Sequence, residues 1–276
     1  MLLAGCAGPA LSSIEQGIRG GSDDAGDPAV AALVLAGTDP YCTATLVAPH
    51  TLLTAGHCDL TDMTAAFGAD ASAPAQSIAV TDAVEHPMYT QEGAPYDFAL
   101  MKLASDPTGV EPVTLNGSAL GSADVGAPIR HVGFGVTDDT AKTGEGTKRT
   151  VTYPITEVDP LLVYSGATGE QTCDGDSGGP GFVGDALAAV VSDGPNCDLD
   201  QPGYDDRVDA VEDWIIAQTS SWDSSPKFDN RSDDSGCAGA ISPWPLALLY
   251  RRRRKRNAIH AAARRHHASR DHAAGS

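Results

Sequence analysis

Three short motifs hold the residue types that nucleophilic catalysis requires. They are TAGHC at residues 54–58, YDFAL at 96–100 and CDGDSGGP at 173–180. A serine hydroxyl becomes a nucleophile when an imidazole removes its proton, and a carboxylate on the other imidazole nitrogen fixes the tautomer. His57, Asp97 and Ser177 supply these three groups. Glycine lets the backbone approach a developing oxyanion closely, so the N–H groups of Gly175 and Ser177 complete a candidate acyl-transfer site.

Each of these residues, taken alone, also has an ordinary structural interpretation. A histidine after a strand is usually a core or surface residue, and an aspartate at the start of a strand is usually a turn former. The eight-residue run around Ser177 is too specific in composition to be explained in this way. Because all three motifs stand in one chain, we interpret them as parts of one catalytic site.

The distribution of charge excludes several classes of protein. The chain has 276 residues and a formal net charge of −19. Residues 251–276 contain nine basic residues and one acidic residue, so residues 1–250 hold nine basic against 36 acidic residues, a net charge of −27. This negative charge on residues 1–250 repels nucleic-acid phosphates, so we expect no nucleic-acid partner. The sequence has no run of 18 apolar residues, which excludes an ordinary multi-span membrane protein.

Short apolar runs separated by glycine, proline, aspartate and threonine predict many strands between residues 17 and 219. The predicted strands are Ala29–Leu35, Tyr41–Val47, Ser77–Val84, Phe98–Leu103, Ile129–Val136, Val151–Val158 and Ala186–Ser192. One segment has a helical period, because Val208, Val211 and Ile215 share a face, and Asp209 with Glu212 is typical of a capping box. Many strands followed by one terminal helix predict an all-β fold, either a barrel or a sandwich.

Residues 18–219 resemble the chymotrypsin/trypsin-like serine proteases. The resemblance rests on the three motifs above, on Gly133-Phe134-Gly135, on Pro202-Gly203 and on the terminal helix through Trp214. It implies two six-stranded antiparallel β-barrels with a C-terminal helix, and a catalytic cleft between the barrels. The strand pattern is consistent with this fold but does not by itself select it over a sandwich.

The resemblance also implies a role for each residue of the candidate site. His57 matches the general base, Asp97 the acid that orients it and Ser177 the nucleophile, with Gly175 and Ser177 forming the oxyanion hole. It implies hydrolysis of a protein or peptide substrate by a monomer without a metal or another cofactor. The alternative is a catalytically inactive, protease-like binding protein. Such a protein is expected to have lost one of the three catalytic residues, the triad of His57, Asp97 and Ser177. All three are present in this sequence.

Four of the six cysteines match two disulfides of the same family. The implied pairs are Cys42–Cys58, beside the histidine, and Cys173–Cys197, beside the substrate pocket. From the sequence alone the pairing stays open. Structural disulfides require an oxidising compartment, so we expect an exported domain. We expect Cys6 and Cys237, one near each terminus, to lie outside the protease core.

The substrate pocket differs from that of most family members. The resemblance places it at Gln171, Ser192, Gly194 and Gly203. Gln171 stands at the floor, which is therefore polar but lacks the carboxylate that selects arginine and lysine. The two glycines leave the walls open to large side chains, and Ser192 begins the segment that pairs with the substrate backbone. Asp193 and Asp174 add negative charge near the pocket, which favours basic or polar substrates by long-range attraction.

Residues 18–21, IRGG, resemble the start of the activated family members. There, cleavage frees an amine that enters the protein and pairs with the acid before the nucleophile, which corresponds to Asp176. This chain departs from the pattern, because Gly17 rather than arginine or lysine precedes Ile18, and Arg19 replaces an apolar residue. The alternative is that Ile18 begins no mature chain.

Both ends of the chain differ from the middle. Residues 1–17 predict a truncated signal or lipobox-like segment and a propeptide, with Cys6 as the lipidated residue; the alternative is a short apolar end. Residues 220–236 predict a Ser/Asp-rich linker with no buried face. Residues 237–256 combine a cysteine, a short apolar stretch and a basic cluster, and resemble the C-terminal sorting tails of exported myxobacterial proteins. Residues 257–276 continue as a basic tail, and a plain solvated tail is the alternative. We therefore expect a protein that is secreted or attached to the cell envelope.

Overall fold

A computed structural model describes residues 18–35, 40–58, 62–91, 95–195, 197, 201–222 and 224–229. The sequence-based predictions for residues 1–17 and 230–276 lie outside these ranges. Strands dominate the described residues, and the one α-helix among them is α1, Glu212–Ser220. In these ranges we find no helix with the length and apolar character needed to span a membrane.

Six antiparallel strands of the N-terminal half close into a first barrel. The strands of this half are β1 (Ser22–Asp23), β2 (Val30–Leu35), β3 (Pro40–Ala48), β4 (Thr51–Thr54), β5 (Met63–Phe67), β6 (Gln76–Glu85) and β7 (Ala99–Leu103). The barrel order is β2-β3-β4-β7-β6-β5, closed by pairing of β5 with β2. Leu33, Leu46, Leu53 and Leu100 of these strands are fully buried in the hydrophobic core.

The C-terminal half forms a second barrel of the same kind. Its strands are β8 (Thr114–Leu115), β9 (Pro128–Gly133), β10 (Arg149–Val158), β11 (Leu162–Ser165), β12 (Pro180–Val183), β13 (Ala186–Asp193), β14 (Gly203–Arg207) and β15 (Lys227–Phe228). The order β12-β9-β10-β11-β14-β13 closes because β12 also pairs with β13. Strand β1 pairs with β10, whereas β8 runs parallel to both β13 and β15. Two six-stranded antiparallel barrels are therefore confirmed, and the sandwich is excluded.

The C-terminal helix has the predicted buried face but not the predicted cap. Val208, Val211 and Ile215 are all buried, although the first two lie in a 3₁₀ turn, Val208–Val211, that precedes α1. The capping box is wrong: the cap residue of α1 is Val211, without a side-chain hydrogen bond. The Asp209 carboxylate instead pairs with the Arg207 guanidinium at 2.6 Å.

The first described residues of the predicted linker, residues 220–236, pack on the barrels. Trp222 is buried against the core, and its carbonyl oxygen lies 2.7 Å from His50 Nε2. Ser224 is buried as well, and β15 pairs with β8. The prediction of no buried face is therefore wrong for Trp222 and for residues 224–228, because an indole and a short strand within this polar stretch pack on the barrels.

Candidate active site

The first barrel brings together His57 and Asp97, which are 40 residues apart in sequence. Thr54 ends β4 and pairs with Ala99, which begins the antiparallel β7. His57 comes three residues after Thr54, and Asp97 comes two residues before Ala99. Both residues therefore lie at the same end of the two adjacent strands. The ladder between β4 and β7 therefore places the imidazole against the carboxylate.

The Asp97 carboxylate is fully buried and accepts three hydrogen bonds. Its Oδ2 accepts one from His57 Nδ1 at 2.6 Å and one from the Ser192 hydroxyl at 2.8 Å, and its Oδ1 accepts one from the His57 backbone N–H at 2.8 Å. The His57 side chain is 12% exposed. With Nδ1 donating to Asp97, the remaining nitrogen Nε2 is the basic one.

Ser177 lies in the loop between β11 and β12 of the second barrel and contacts the first barrel through its backbone. Its carbonyl oxygen accepts a hydrogen bond from the Thr43 N–H at 2.8 Å and lies 3.8 Å from Cys58 Sγ, next to His57 in sequence. Gly178 follows with a φ of +80°, and a Cβ there would lie 2.0 Å from Thr54 Oγ1. Only glycine therefore permits this approach between the barrels.

The N–H groups of Gly175 and Ser177 belong to a turn that the neighbouring chain holds in place. Gly175 has a φ of +92°, and its carbonyl oxygen accepts a hydrogen bond from the Thr43 hydroxyl at 3.0 Å. Neither N–H donates to another described residue. The turn thus leaves these two backbone N–H groups without a partner among the described residues, and an oxyanion hole needs unpaired donors of this kind.

The Asp176 carboxylate is buried. It accepts hydrogen bonds from the Gly135 N–H at 2.8 Å and the Cys173 N–H at 2.9 Å. A Cβ on Gly133 would lie 2.1 Å from Asp176 Oδ1, which explains why the predicted Gly-Phe-Gly segment is built of small residues around a buried phenylalanine. Burial raises the pKa of Asp176 to about 6, against the opposing effect of its two hydrogen bonds.

A cavity of about 270 Å³ opens beside Ser177. Gln171, Ser192, Asp193 and Gly194 are among the residues that line it, in agreement with three of the four predicted pocket positions. The fourth, Gly203, does not line the cavity directly. A Cβ on Gly203 would lie 3.0 Å from Gln171 Nε2, so its lack of a side chain leaves room for the glutamine amide.

A lysine that sequence reasoning overlooked lies at the rim of this cavity. Lys142 Nζ is 2.9 Å from Asp174 Oδ2 and also contacts the carboxylate of Asp139. These carboxylates raise the pKa of Lys142. The negative charge predicted for Asp174 is thus compensated locally, and Asp193 is the remaining acid among the described lining residues without a lysine or arginine partner.

Two disulfides join the cysteines in the implied pairs. Cys42 is bonded to Cys58 and Cys173 to Cys197. The sulfurs of Cys42 and Cys58 lie within 4.8 Å of a His57 nitrogen, but because they are bonded to each other they offer no thiolate to a metal ion. Disulfides of this kind are typical of extracellular proteins.

Comparison with known proteins identifies the class of this molecule. The Trypsin family model matches residues 18–215, so the chain belongs to the trypsin family. Trypsin 5G1 of Aedes aegypti is 28% identical over 201 residues, which are 65% of this chain and 75% of that protein. A trypsin of Saccharopolyspora erythraea is 28% identical over 213 residues, 69% of this chain and 92% of that protein.

The fold likeness extends to solved structures. The structure of neuropsin, a serine protease expressed in the limbic system of mouse brain, matches 72% of this chain and 98% of its own, with a TM-score of 0.66 and 24% identity. That likeness concerns the fold. The family match and the curated relatives identify the chain as a serine endopeptidase.

Proposed function

We propose that this protein is an exported endopeptidase that cleaves protein substrates as a monomer, through His57, Asp97 and Ser177. The observation that carries the proposal is the buried Asp97 carboxylate. It accepts a hydrogen bond from His57 Nδ1 at 2.6 Å, which makes Nε2 the basic nitrogen of the imidazole, and Ser177 lines the neighbouring cavity. Covalent labelling of Ser177 by a fluorophosphonate tests the proposal, and substitutions of the three catalytic residues extend that test.

The proposed reaction proceeds in two proton-coupled steps. His57 Nε2 accepts the Ser177 hydroxyl proton while Ser177 Oγ attacks the peptide carbonyl carbon, and Asp97 stabilises the imidazolium that forms. The N–H groups of Gly175 and Ser177 bind the oxyanion. The imidazolium then donates its proton to the leaving amine, which gives the acyl-enzyme. A water molecule, deprotonated by the same imidazole, releases the acid and restores the Ser177 hydroxyl.

The pocket supports a preference for uncharged polar side chains. Gln171 is 2% exposed, its Nε2 lies on the Gly203 side, and its Oε1 has no hydrogen-bond partner among the described residues. A neutral amide offers hydrogen bonds but no charge to compensate a buried guanidinium or ammonium, whose desolvation is costly. We infer that cleavage is not strictly tryptic.

Peptide-library profiling should return uncharged residues, besides arginine and lysine, immediately before the scissile bond. The Gln171→Asp variant should raise the relative rate of cleavage after arginine and lysine roughly tenfold, because the new carboxylate pairs with their charge. The Asp193→Asn variant is the matched comparison, since it removes a rim carboxylate while the floor keeps its amide. A wild-type profile with only arginine and lysine at that position would contradict the inference. Asp193 would then be the candidate for the carboxylate that binds their charge.

Activation before Ile18 is the second part of the proposal. Ile18 is fully buried with a φ of +46°, a left-handed conformation that is strained for a β-branched residue. Because φ involves the preceding carbonyl carbon, cleavage of the bond between Gly17 and Ile18 removes this strain. It also frees an ammonium group that can pair with Asp176, whose burial otherwise raises its pKa.

Attachment to the envelope is the third part. It rests on the sequence alone, on a lipid at Cys6 or on the segment 237–256, both outside the described residues. The thirteen residues 238–250 span roughly 20 Å as a helix, less than the ~30 Å hydrocarbon core of a bilayer. We therefore infer a sorting signal rather than a conventional membrane span, and the basic cluster that follows would hold the terminus on the cytoplasmic side.

One experiment tests maturation and location together, by analysis of the termini of active enzyme from envelope and medium fractions. Active enzyme in both fractions should begin at Ile18, and only the envelope fraction should keep residues 238–276. A chain that ends at Ser235 is the control and should appear in the medium as active protease. Full activity with Gln16 still attached would contradict insertion of Ile18, and release with residues 238–276 attached would contradict the sorting signal.

A further inference from the structure

A second carboxylate lies buried behind the proposed triad. Asp206, on β14, is 1% exposed, and its Oδ1 accepts the Tyr96 N–H at 2.6 Å. Its Oδ2 is buried and makes no well-formed hydrogen bond among the described residues, although the Asp97 N–H and the Ser192 hydroxyl lie near the carboxylate. In the described residues Asp206 also forms no ion pair with lysine, arginine or histidine. An acid in this position is energetically costly unless the surrounding structure uses it.

The peptide that Asp206 holds is the one that leads directly into Asp97. Tyr96 has a φ of +66°, an uncommon conformation for a residue other than glycine. Its ring stacks on His86 with a centroid distance of 4.9 Å, and its N–H is bound by Asp206. The strained residue is thus fixed at its ring and at its backbone, and the direction of the next side chain, Asp97, is fixed with it.

The other titratable groups around Asp206 are few and mostly acidic. Asp97 faces it from the segment before β7, and Tyr204 from its own strand; Tyr204 in turn donates to Asp193 of β13 and packs on Tyr164 of β11. His86 lies behind the Tyr96 ring, and burial lowers its pKa to about 4, so it is neutral near pH 7. Burial, with Asp97 nearby, raises the pKa of Asp206 to about 7.

We propose that Asp206 is a positioning residue for the triad, which orients Asp97 through the Tyr96 peptide and places an ionisable charge beside Asp97. The proposal rests on the proposed function of the triad. When Asp206 is ionised, its negative charge favours the protonated imidazole, so a higher pH is needed before His57 is available as a base. When Asp206 is neutral, this effect is absent. The charge of Asp206 therefore sets the pH at which hydrolysis begins.

The test compares Asp206→Asn with Asp206→Ala across the pH profile of kcat/KM. Asparagine keeps an acceptor for the Tyr96 N–H but removes the charge, so kcat on the plateau should stay within about threefold, and the midpoint of the acidic limb should fall by roughly 0.5 pH unit. Alanine also removes the acceptor, so kcat should fall about tenfold further with KM little changed, because a buried N–H is left unpaired and Asp97 is misdirected. Asp185→Asn, the same change in the exposed turn between β12 and β13, is the control and should leave the profile unchanged.

The outcomes separate positioning from mere packing. An active Asp206→Asn enzyme with an unshifted acidic limb would overturn the proposal, as would equal losses of kcat in both variants without a shift. If neither variant folds, the wild-type enzyme still decides: the NMR signal of the His57 ring should show a second inflection near pH 7, and a single inflection counts against Asp206. Fluorophosphonate labelling of wild-type Ser177 distinguishes these failures from failure of the triad itself.

Discussion

The Ser177→Ala variant should lose about 10⁶-fold in kcat, with KM changed little. The hydroxyl is the group that attacks the carbonyl, and a methyl group in its place offers no electron pair to the substrate. The cavity beside Ser177 and the two backbone donors of its turn remain, so substrate still binds. His57→Ala should fall by a similar factor, because without the imidazole the hydroxyl keeps its proton.

Two controls make this result interpretable. Ser122→Ala removes a hydroxyl from an exposed 3₁₀ turn and should leave kcat unchanged. A fluorophosphonate should label the wild-type chain at Ser177 and fail to label Ser177→Ala. More than a tenth of wild-type activity in either triad variant would refute the assignment, and a wild-type chain that is unlabelled after processing at Ile18 would favour the catalytically silent alternative.

Seven of the twelve barrel strands could be predicted from the sequence, because each is a run of apolar or β-branched residues. The other five barrel strands are short, or contain polar and charged residues that are more common in loops. Strand β14 reads GYDDR, yet Asp205 and Asp206 are both buried. Asp205 accepts a hydrogen bond from the equally buried His131 at 2.8 Å, and Asp206 takes the Tyr96 N–H. Because these hydrogen-bond partners lie far away in sequence, no local sequence pattern predicts that the two aspartates are buried.

The residue types of the candidate site could be predicted from the sequence, but the contacts that hold these residues in place could not. The motifs identify His57, Asp97 and Ser177, whereas their meeting depends on the pairing of β4 with β7 and on Thr43, which bonds the Ser177 carbonyl across the barrels. The pairing of Lys142 with Asp174 is equally invisible in sequence, since 32 residues separate them. Motifs therefore reveal chemistry, while the residues that orient it emerge only from tertiary contacts.

The Asp97→Asn variant should lose about 10⁴-fold in kcat, the second largest effect expected. The Asp97 carboxylate accepts every hydrogen bond that reaches it, from the His57 backbone, His57 Nδ1 and the Ser192 hydroxyl. An asparagine amide has one oxygen and one NH₂ group, so one of these donors must then face another donor. If the NH₂ group faces Nδ1, the imidazole must accept there and carry its proton on Nε2, where it cannot remove the proton of Ser177.

The Ser192→Ala variant separates this tautomer effect from the loss of a single hydrogen bond. It removes one of the three donors to Asp97 and leaves the carboxylate with both bonds to His57, so kcat should fall only about tenfold. Both variants should retain the Cys42–Cys58 disulfide in non-reducing peptide maps, which excludes mispaired cysteines beside His57. Stopped-flow acylation with an activated ester then measures the step directly. A loss in Asp97→Asn no larger than that in Ser192→Ala would mean that Asp97 contributes packing rather than the orientation and charge that make His57 a base.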